Sequence, residues 1–359
     1  MNSAKETFNK IRIVIVGSGL IGKFNAVELS KHGFQITLID PNENLNSINA
    51  ALGIMMGKVY QKRKGRSWEL RKTSLKMWPI WINLLKKMNP ELIIEKPLIQ
   101  LTTDIEKFEK MNIFVKNNSK DNIKILNKTS EPLNYIQSFF SNYQLQGLIS
   151  YEDGRINPKI LLESLDLYIK KQQIRTIKNR VTNITNKNNM WISELQNGEE
   201  IKSEIIILCN SLDSLKLINS YNYGIKLRPV LGQAIEIIYN NEQLNFLSLP
   251  KHLNINGKNL IPIAKNKIII GSTDEYKNKP DNNKIQELME FIDEKPNWLK
   301  EENISRKWFG IRSRPDGEPS PILKSLEKGL ILCSGFYKNG ILLAPACSAW
   351  ISEEIKKHI

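Results

Sequence analysis

Cysteine is scarce: Cys209, Cys333 and Cys347 are the three in 359 residues, far apart along the chain. They encode neither a disulfide framework nor a four-ligand zinc site, and they fit a reducing, cytoplasmic setting. Histidine is equally rare. His32, His252 and His358 fall at an expected helix end, in a loop and in the C-terminal tail, so each is read as a surface or structural residue, with no metal site and no acid/base cluster. No apolar run reaches the roughly 18 to 20 residues of a membrane span. Ile11 to Ile21 resembles a targeting segment only superficially: Gly17 and Gly19 interrupt it and no small-residue cleavage site follows, so it reads as a buried strand entering a turn. Acids are outnumbered, 37 against 52 Lys+Arg, for a net charge of +15. With 41% hydrophobic and 25% charged residues the chain is neither disordered nor collagen-like. Its length suggests about two domains.

The charge is local. Ten basic residues and a single acid, Glu69, lie between Lys58 and Lys87, interleaved with Trp68, Trp78 and Trp81. Two readings stay open: an amphipathic helix with a solvated lysine face and buried tryptophans, or an anion-attracting face for an acidic partner. Leu70, Ser74, Met77, Trp81, Leu84 and Met88 recur at steps of three and four, which predicts a helix kinked or restarted at Pro79.

From Arg12 to Asp40 the pattern is strand, glycine turn, helix, strand. Ile13-Val14-Ile15-Val16 is a β-branched run expected of a parallel strand covered on both faces. Two more such runs, Ile205-Ile206-Ile207-Leu208 and Leu330-Ile331-Leu332-Cys333, come much later, with strand-rich sequence from Lys226 to Thr273 between them. This order predicts a nucleotide-binding domain made of separated pieces with a strand-rich domain inserted. Gly17-Ser18-Gly19-Leu20-Ile21-Gly22 fits G-x-G-x-x-G. In that pattern Gly17 permits the tight turn, Gly19 lets the backbone approach a pyrophosphate, Gly22 lets helix and strand pack, and the helix N-terminus stabilises the anion. Asp40 ends the second strand, placed for a ribose hydroxyl. The motif does not separate NAD from FAD. The absence of a second glycine motif and of C-x-x-C favours one dinucleotide per chain.

Late in the chain, Gly310-Ile311-Arg312-Ser313-Arg314-Pro315-Asp316-Gly317-Glu318-Pro319 and Gly335-Phe336-Tyr337-Lys338-Asn339-Gly340-Ile341-Leu342-Leu343-Ala344-Pro345 resemble the paired C-terminal motifs of the glycine oxidase/D-amino-acid oxidase (DAO) family of FAD enzymes. Ala50 to Met55, Tyr151 to Pro158, Ile261-Pro262 and Ile270-Gly271-Ser272-Thr273 match in family order, nearest to the glycine oxidases of thiamine biosynthesis. The resemblance implies an α/β fold: a Rossmann-type FAD-binding domain built from discontinuous segments (1–75, 146–220 and 306–359), with an inserted α+β substrate domain dominated by an antiparallel sheet (76–145 and 221–305). It implies that Leu20, Ile21, Asp40, Pro41, Ser47 and the turn Ala51, Leu52, Gly53 line FAD. Val181 would bond the adenine through its backbone, and Phe336, Tyr337, Lys338, Asn339, Gly340, Ile341 and Leu342 would wrap the isoalloxazine.

The resemblance also implies that Arg312 grips a substrate carboxylate, although an arginine in a surface turn would read the same, and that hydride passes from Cα to flavin N5 before O2 or another electron acceptor reoxidises the flavin. Three positions depart from the family. Lys338 stands where the nearest motif has Arg, Asn259 where counting back from Gly271 places the active-site tyrosine, and Asn210 where a glycine usually follows the third buried strand. With Arg312, Lys338 and Asn259 are the candidate catalytic residues. The implied activity is oxidative deamination of a small-molecule amine or amino acid (glycine, sarcosine or a small D-amino acid). Two alternatives remain: a tRNA-modifying FAD oxidase that removes a carboxymethyl group from a modified uridine, using the 58–87 face, and an FAD-binding protein without catalysis. A homo-oligomer is compatible with all three.

Overall fold

The computed structural model describes residues 11–43, 47–140, 144–241, 243–277, 279–292 and 295–357, so His358 lies outside the described residues. Arg12–Val16 pairs in parallel with Gln35–Ile39 on one side and Ile205–Leu208 on the other. Leu330–Ser334 continues the parallel sheet beyond Ile205–Leu208, so the three β-branched runs of the sequence lie side by side. Arg175–Ile177 and the antiparallel Ile322–Glu327 close the edges of this six-stranded sheet. The alternation of the first strand explains why all of it is apolar. Ile13 and Ile15 enter a core with Phe24, Leu161 and Leu342, from the helices Leu20–Ser30, Pro158–Lys171 and Gly340–Lys356. Val14 and Val16 face the other way, onto Val181, Ile184, Trp191 and Leu195 of a three-stranded sheet. Asn157 caps the helix Pro158–Lys171 by accepting from Lys159 N at 3.1 Å, and Pro158 at the first turn has no N–H to leave unpaired.

The inserted segments build an eight-stranded sheet in the order Ile304–Pro315, Leu227–Ile238, Lys267–Gly271, Lys258–Ala264, His252–Ile255, Leu98–Thr102, Gln146–Ser150, Ile123–Leu126. It is antiparallel except where His252–Ile255 runs parallel to Leu98–Thr102. One face buries a second core with the helices Glu131–Ser138 and Asn282–Met289. On the other, Leu52 packs with Ala234 and Ile261, so the turn after the dinucleotide strands rests on this sheet.

Sheet membership differs from the expected domain divisions. Gln146–Ser150, assigned by sequence to the dinucleotide side, pairs inside the eight-stranded sheet, and the division at 306 falls within Ile304–Pro315. The division at 75 cuts the helix Gly65–Leu85, which runs unbroken through Pro79. That helix buries Arg71, Ser74, Trp78, Trp81 and Leu85, a stripe rotated from the expected one because the tryptophans take the core side. Trp78 donates to Leu342 O at 3.1 Å, and the Phe24 ring lies 4.4 Å from that of Trp81, tilted by 37°.

Much of the basic stretch has internal partners. Lys58 pairs with Asp121 at 2.8 Å, Arg63 with the same carboxylate, and Lys72 with Glu69 at 2.8 Å, while Arg71 is buried. Lys62, Lys64, Arg66, Lys76, Lys86 and Lys87 remain exposed. No helix among the described residues is long and apolar enough to cross a membrane.

Candidate functional site

Each glycine of the first turn has its own steric reason. Gly17 has φ +102°, and a Cβ there would lie 2.8 Å from the backbone of Cys209 and Asn210. A Cβ on Gly22 would lie 1.8 Å from Gly17 O, so the helix sits directly on the turn. Gly19 differs: its Cβ would meet nothing within 4 Å, which leaves the backbone open on the side where a pyrophosphate approaches. Asp40 accepts from Ser18 N and Asn42 N, both at 2.7 Å, and so ties the acid to the glycine turn. Val181 is buried beside Val16 and Ile39, beneath the ends of the two dinucleotide strands.

The flavin end is a second cradle. The short helical turn Ser47–Ala50 sits over Gly310, where a Cβ would fall 2.5 Å from Ala50 Cβ. Leu52 also approaches Gly271 closely, its Cδ1 lying 2.9 Å from a Cβ built there. The helix Gly340–Lys356 begins without a side-chain cap, and the N–H groups of Gly340, Ile341 and Leu342 have no acceptor among the described residues. A helix start of this kind stabilises negative charge, which a reduced flavin carries at its N1/C2=O edge. The open Gly19 turn, the acid at Asp40 and these uncapped N–H groups fit FAD.

Arg312 stands on the strand next to Leu227–Ile238, two residues beyond Gly310. Its guanidinium lies over Gly232, where a Cβ would be 2.1 Å from Nη2. It donates through Nη2 to Ser272 Oγ at 2.6 Å, and through Nη1 to Thr273 O and Asp274 Oδ1, both at 3.2 Å. Burial pushes its pKa down, and the Asp274 carboxylate opposes that shift. Asp274 also accepts from Tyr337 OH at 3.2 Å and from Lys338 Nζ. Burial and then Asp274 push the Tyr337 phenol up to about 12, so it remains a donor at neutral pH.

Thus Arg312, Tyr337 and Lys338 converge on one carboxylate. The sequence reading missed Asp274, although it directly follows the Gly271-Ser272-Thr273 match.

Asn259 is placed differently. Its amide donates to Gly271 O at 3.0 Å and accepts from Asn254 Nδ2 at 2.8 Å and His252 Nε2 at 3.1 Å, so it reaches the Arg312 cluster only through the residue before Ser272. Asn210 accepts from Ser214 Oγ at 2.8 Å, with its backbone against Gly17. His252, expected in a loop, lies in the strand His252–Ile255 and is fully buried. Arg71 was also missed. It reaches Asn339 Oδ1 at 2.8 Å from the buried stripe of its helix, stacked 3.8 Å over Tyr60, and so braces the 336–342 loop.

Burial pushes the His252 pKa down to about 4, with the Asn259 contact opposing. A histidine kept neutral by the fold binds a proton more readily when unfolded. Its contribution is therefore intact above the ordinary value of about 6.5 and is lost as pH falls towards 4. Between pH 7 and 4.5 the wild type should lose about 2.5 kcal/mol more stability than His252→Gln. Urea midpoints at the two pH values measure this, and parallel losses in both proteins would contradict it.

Comparison with known proteins agrees with this fold. The chain is 24% identical over 351 residues to the bifunctional protein ThiO/ThiG of Nostoc sp., covering 96% of this chain and 52% of that protein. It thus spans about half the length of this curated relative. Among solved structures it is similar to the glycine oxidase of Geobacillus kaustophilus, with TM-score 0.81 and 17% identity over 97% of this chain and 95% of that one. It is also similar to the L-alpha-glycerophosphate oxidase of Mycoplasma pneumoniae, solved with FAD bound, with TM-score 0.81 and 16% identity over 96% and 94% of the two chains. A family model described as FAD dependent oxidoreductase matches residues 12–354, and the chain belongs to that family, the DAO family of FAD-dependent oxidoreductases.

Proposed function

We propose that the protein oxidises the Cα–N bond of a small amine or amino acid, with glycine, sarcosine or a small D-amino acid as substrate. The observation that carries this reading is the half-buried Arg312 guanidinium. It is anchored on a strand beside the flavin cradle and converges with Tyr337 and Lys338 on a carboxylate, that of Asp274. A substrate carboxylate offers the same acceptor oxygens to the same donors. FAD, when bound, supplies the two-electron acceptor for the Cα hydrogen. The chain's own part is to hold the carboxylate, orient Cα and admit the amine in its neutral form. No strong side-chain base is required.

The likeness to the bifunctional ThiO/ThiG protein over 96% of the chain supports a role in thiamine-thiazole synthesis. Three free, buried cysteines support a reducing, cytoplasmic setting. Anaerobic mixing with glycine, sarcosine and D-alanine should bleach the oxidised flavin band. Full absorbance with every amine would remove the oxidase reading and leave FAD binding without catalysis. The tRNA alternative rests on the exposed lysines at 62, 64, 76, 86 and 87. It requires tRNA retention on filters at low salt that weakens steeply as salt rises.

A further inference from the structure

The Arg312 cluster opens onto a cavity of about 300 Å³ whose walls include Lys258, Ser272, Asp274, Lys284, Glu287 and Lys338. Its charges do not cancel. Lys284 is matched by Glu287 at 2.5 Å, while Asp274 is shared between Arg312 and Lys338. Lys258 is left over. It is half-buried and has no ion pair or hydrogen bond among the described residues. Burial pushes its pKa down, with Glu287 and Asp274 pulling the other way. A partly desolvated ammonium without a partner is unfavourable unless an anion joins it. Asp274 and Glu287, the carboxylates of the cavity wall, are taken up by Arg312, Lys338 and Lys284, and the buried Glu275 that also acts on Arg312 is held by Gln233 and Thr273, so Lys258 is the cation left for a ligand once a substrate carboxylate meets Arg312.

We propose that Lys258 forms a second anion subsite, so that the amine this protein takes carries an acidic group, carboxylate or phosphate, in addition to the carboxylate held by Arg312. The proposal rests on the amine-oxidase reading above and names its substrate class. Lys258 precedes Asn259, so the subsite lies on the strand Lys258–Ala264, one strand beyond Lys267–Gly271, which leads into Ser272. A ligand spanning the two would be a small, extended dianion.

Calorimetric titration of the FAD-loaded protein with redox-inert probes tests this without turnover. Succinate and 3-phosphonopropionate each add one anionic group to propionate. At least one should bind roughly tenfold tighter than propionate or better, and which one wins identifies the acidic group. In Lys258→Met that affinity ratio should fall to about one, and in Lys258→Arg it should return, because a cation at this position is what the second group requires. Equal affinities for all three probes in the wild type, or a ratio that survives in Lys258→Met, would overturn the subsite. Neither result bears on amine oxidation, which is read from flavin bleaching.

Discussion

Gly19→Val is expected to give a folded protein that carries no flavin. The backbone at Gly19 has φ −70° and ψ −174°, an extended conformation open to any residue, and a Cβ there touches no protein atom within 4 Å. The substitution therefore spares the fold. It fills instead the space in which the turn's backbone approaches a pyrophosphate, and FAD affinity should fall about 100-fold or more, equivalent to roughly 3 kcal/mol. Gly22→Ala is the contrasting variant. Its Cβ lands 1.8 Å from Gly17 O, a backbone atom that cannot rotate away, so the helix Leu20–Ser30 must shift and stability should fall together with cofactor binding. Flavin absorbance per mole of protein, with thermal unfolding of both apoproteins, separates the two effects. Wild-type flavin content in Gly19→Val would detach the glycine motif from the cofactor.

What the sequence discloses is what local sterics determine. The three glycines are legible through their spacing between strand and helix, although only Gly22 answers a neighbour in sequence, Gly17 O; Gly17 clears the distant backbone of Cys209 and Asn210, and Gly19 the open side of the turn. The runs Ile13–Val16, Ile205–Leu208 and Leu330–Cys333 are legible because a strand covered on both faces has no polar position. Register between distant segments is not legible. The parallel pairing of His252–Ile255 with Leu98–Thr102 joins residues some 150 positions apart, and nothing in either stretch announces the other. His252, expected in a loop, stands among the polar Asn254, Asn256 and Asn259. In the structure Asn254 and Asn259 face each other across paired strands, and Asn259 Oδ1 accepts from both Asn254 and the buried His252. The helix Gly65–Leu85 misled in a similar way. Arg71 and Ser74 occupy its buried stripe, where Arg71 donates to the distant Asn339 as well as to Ser67 O, and the N–H of Ala346 donates to Ser74 Oγ at 3.3 Å. Arg312 was placed by family resemblance, but the significance of Asp274 depends on the strand Lys267–Gly271 ending where the guanidinium of another strand arrives, which only the assembled sheet shows.

Arg312→Leu should lower kcat/KM for a carboxylate-bearing amine by about 10³-fold, equivalent to roughly 4 kcal/mol, without changing flavin content. The loss is large because the guanidinium side chain is only 17% exposed, so a bound carboxylate is partly desolvated and water replaces the missing donors poorly. Arg312→Lys should fall in between, since it keeps the charge and loses the fork that addresses two oxygens at once. A purely structural arginine makes a different prediction. Arg312 also fastens the 272–274 turn through Ser272 Oγ and Thr273 O, and if that were its only task the leucine variant would unfold earlier and any loss of rate would be the same whether or not the amine carries a carboxylate. Pre-steady-state flavin reduction decides between them when an amino acid is compared with the matching amine that lacks its carboxylate. Carboxylate recognition requires the defect to appear with the amino acid alone. An equal loss with both amines would return Arg312 to the role of a brace for the turn, and the donors converging on Asp274 would then have to be explained as an internal ion-pair network rather than as the mould of a substrate.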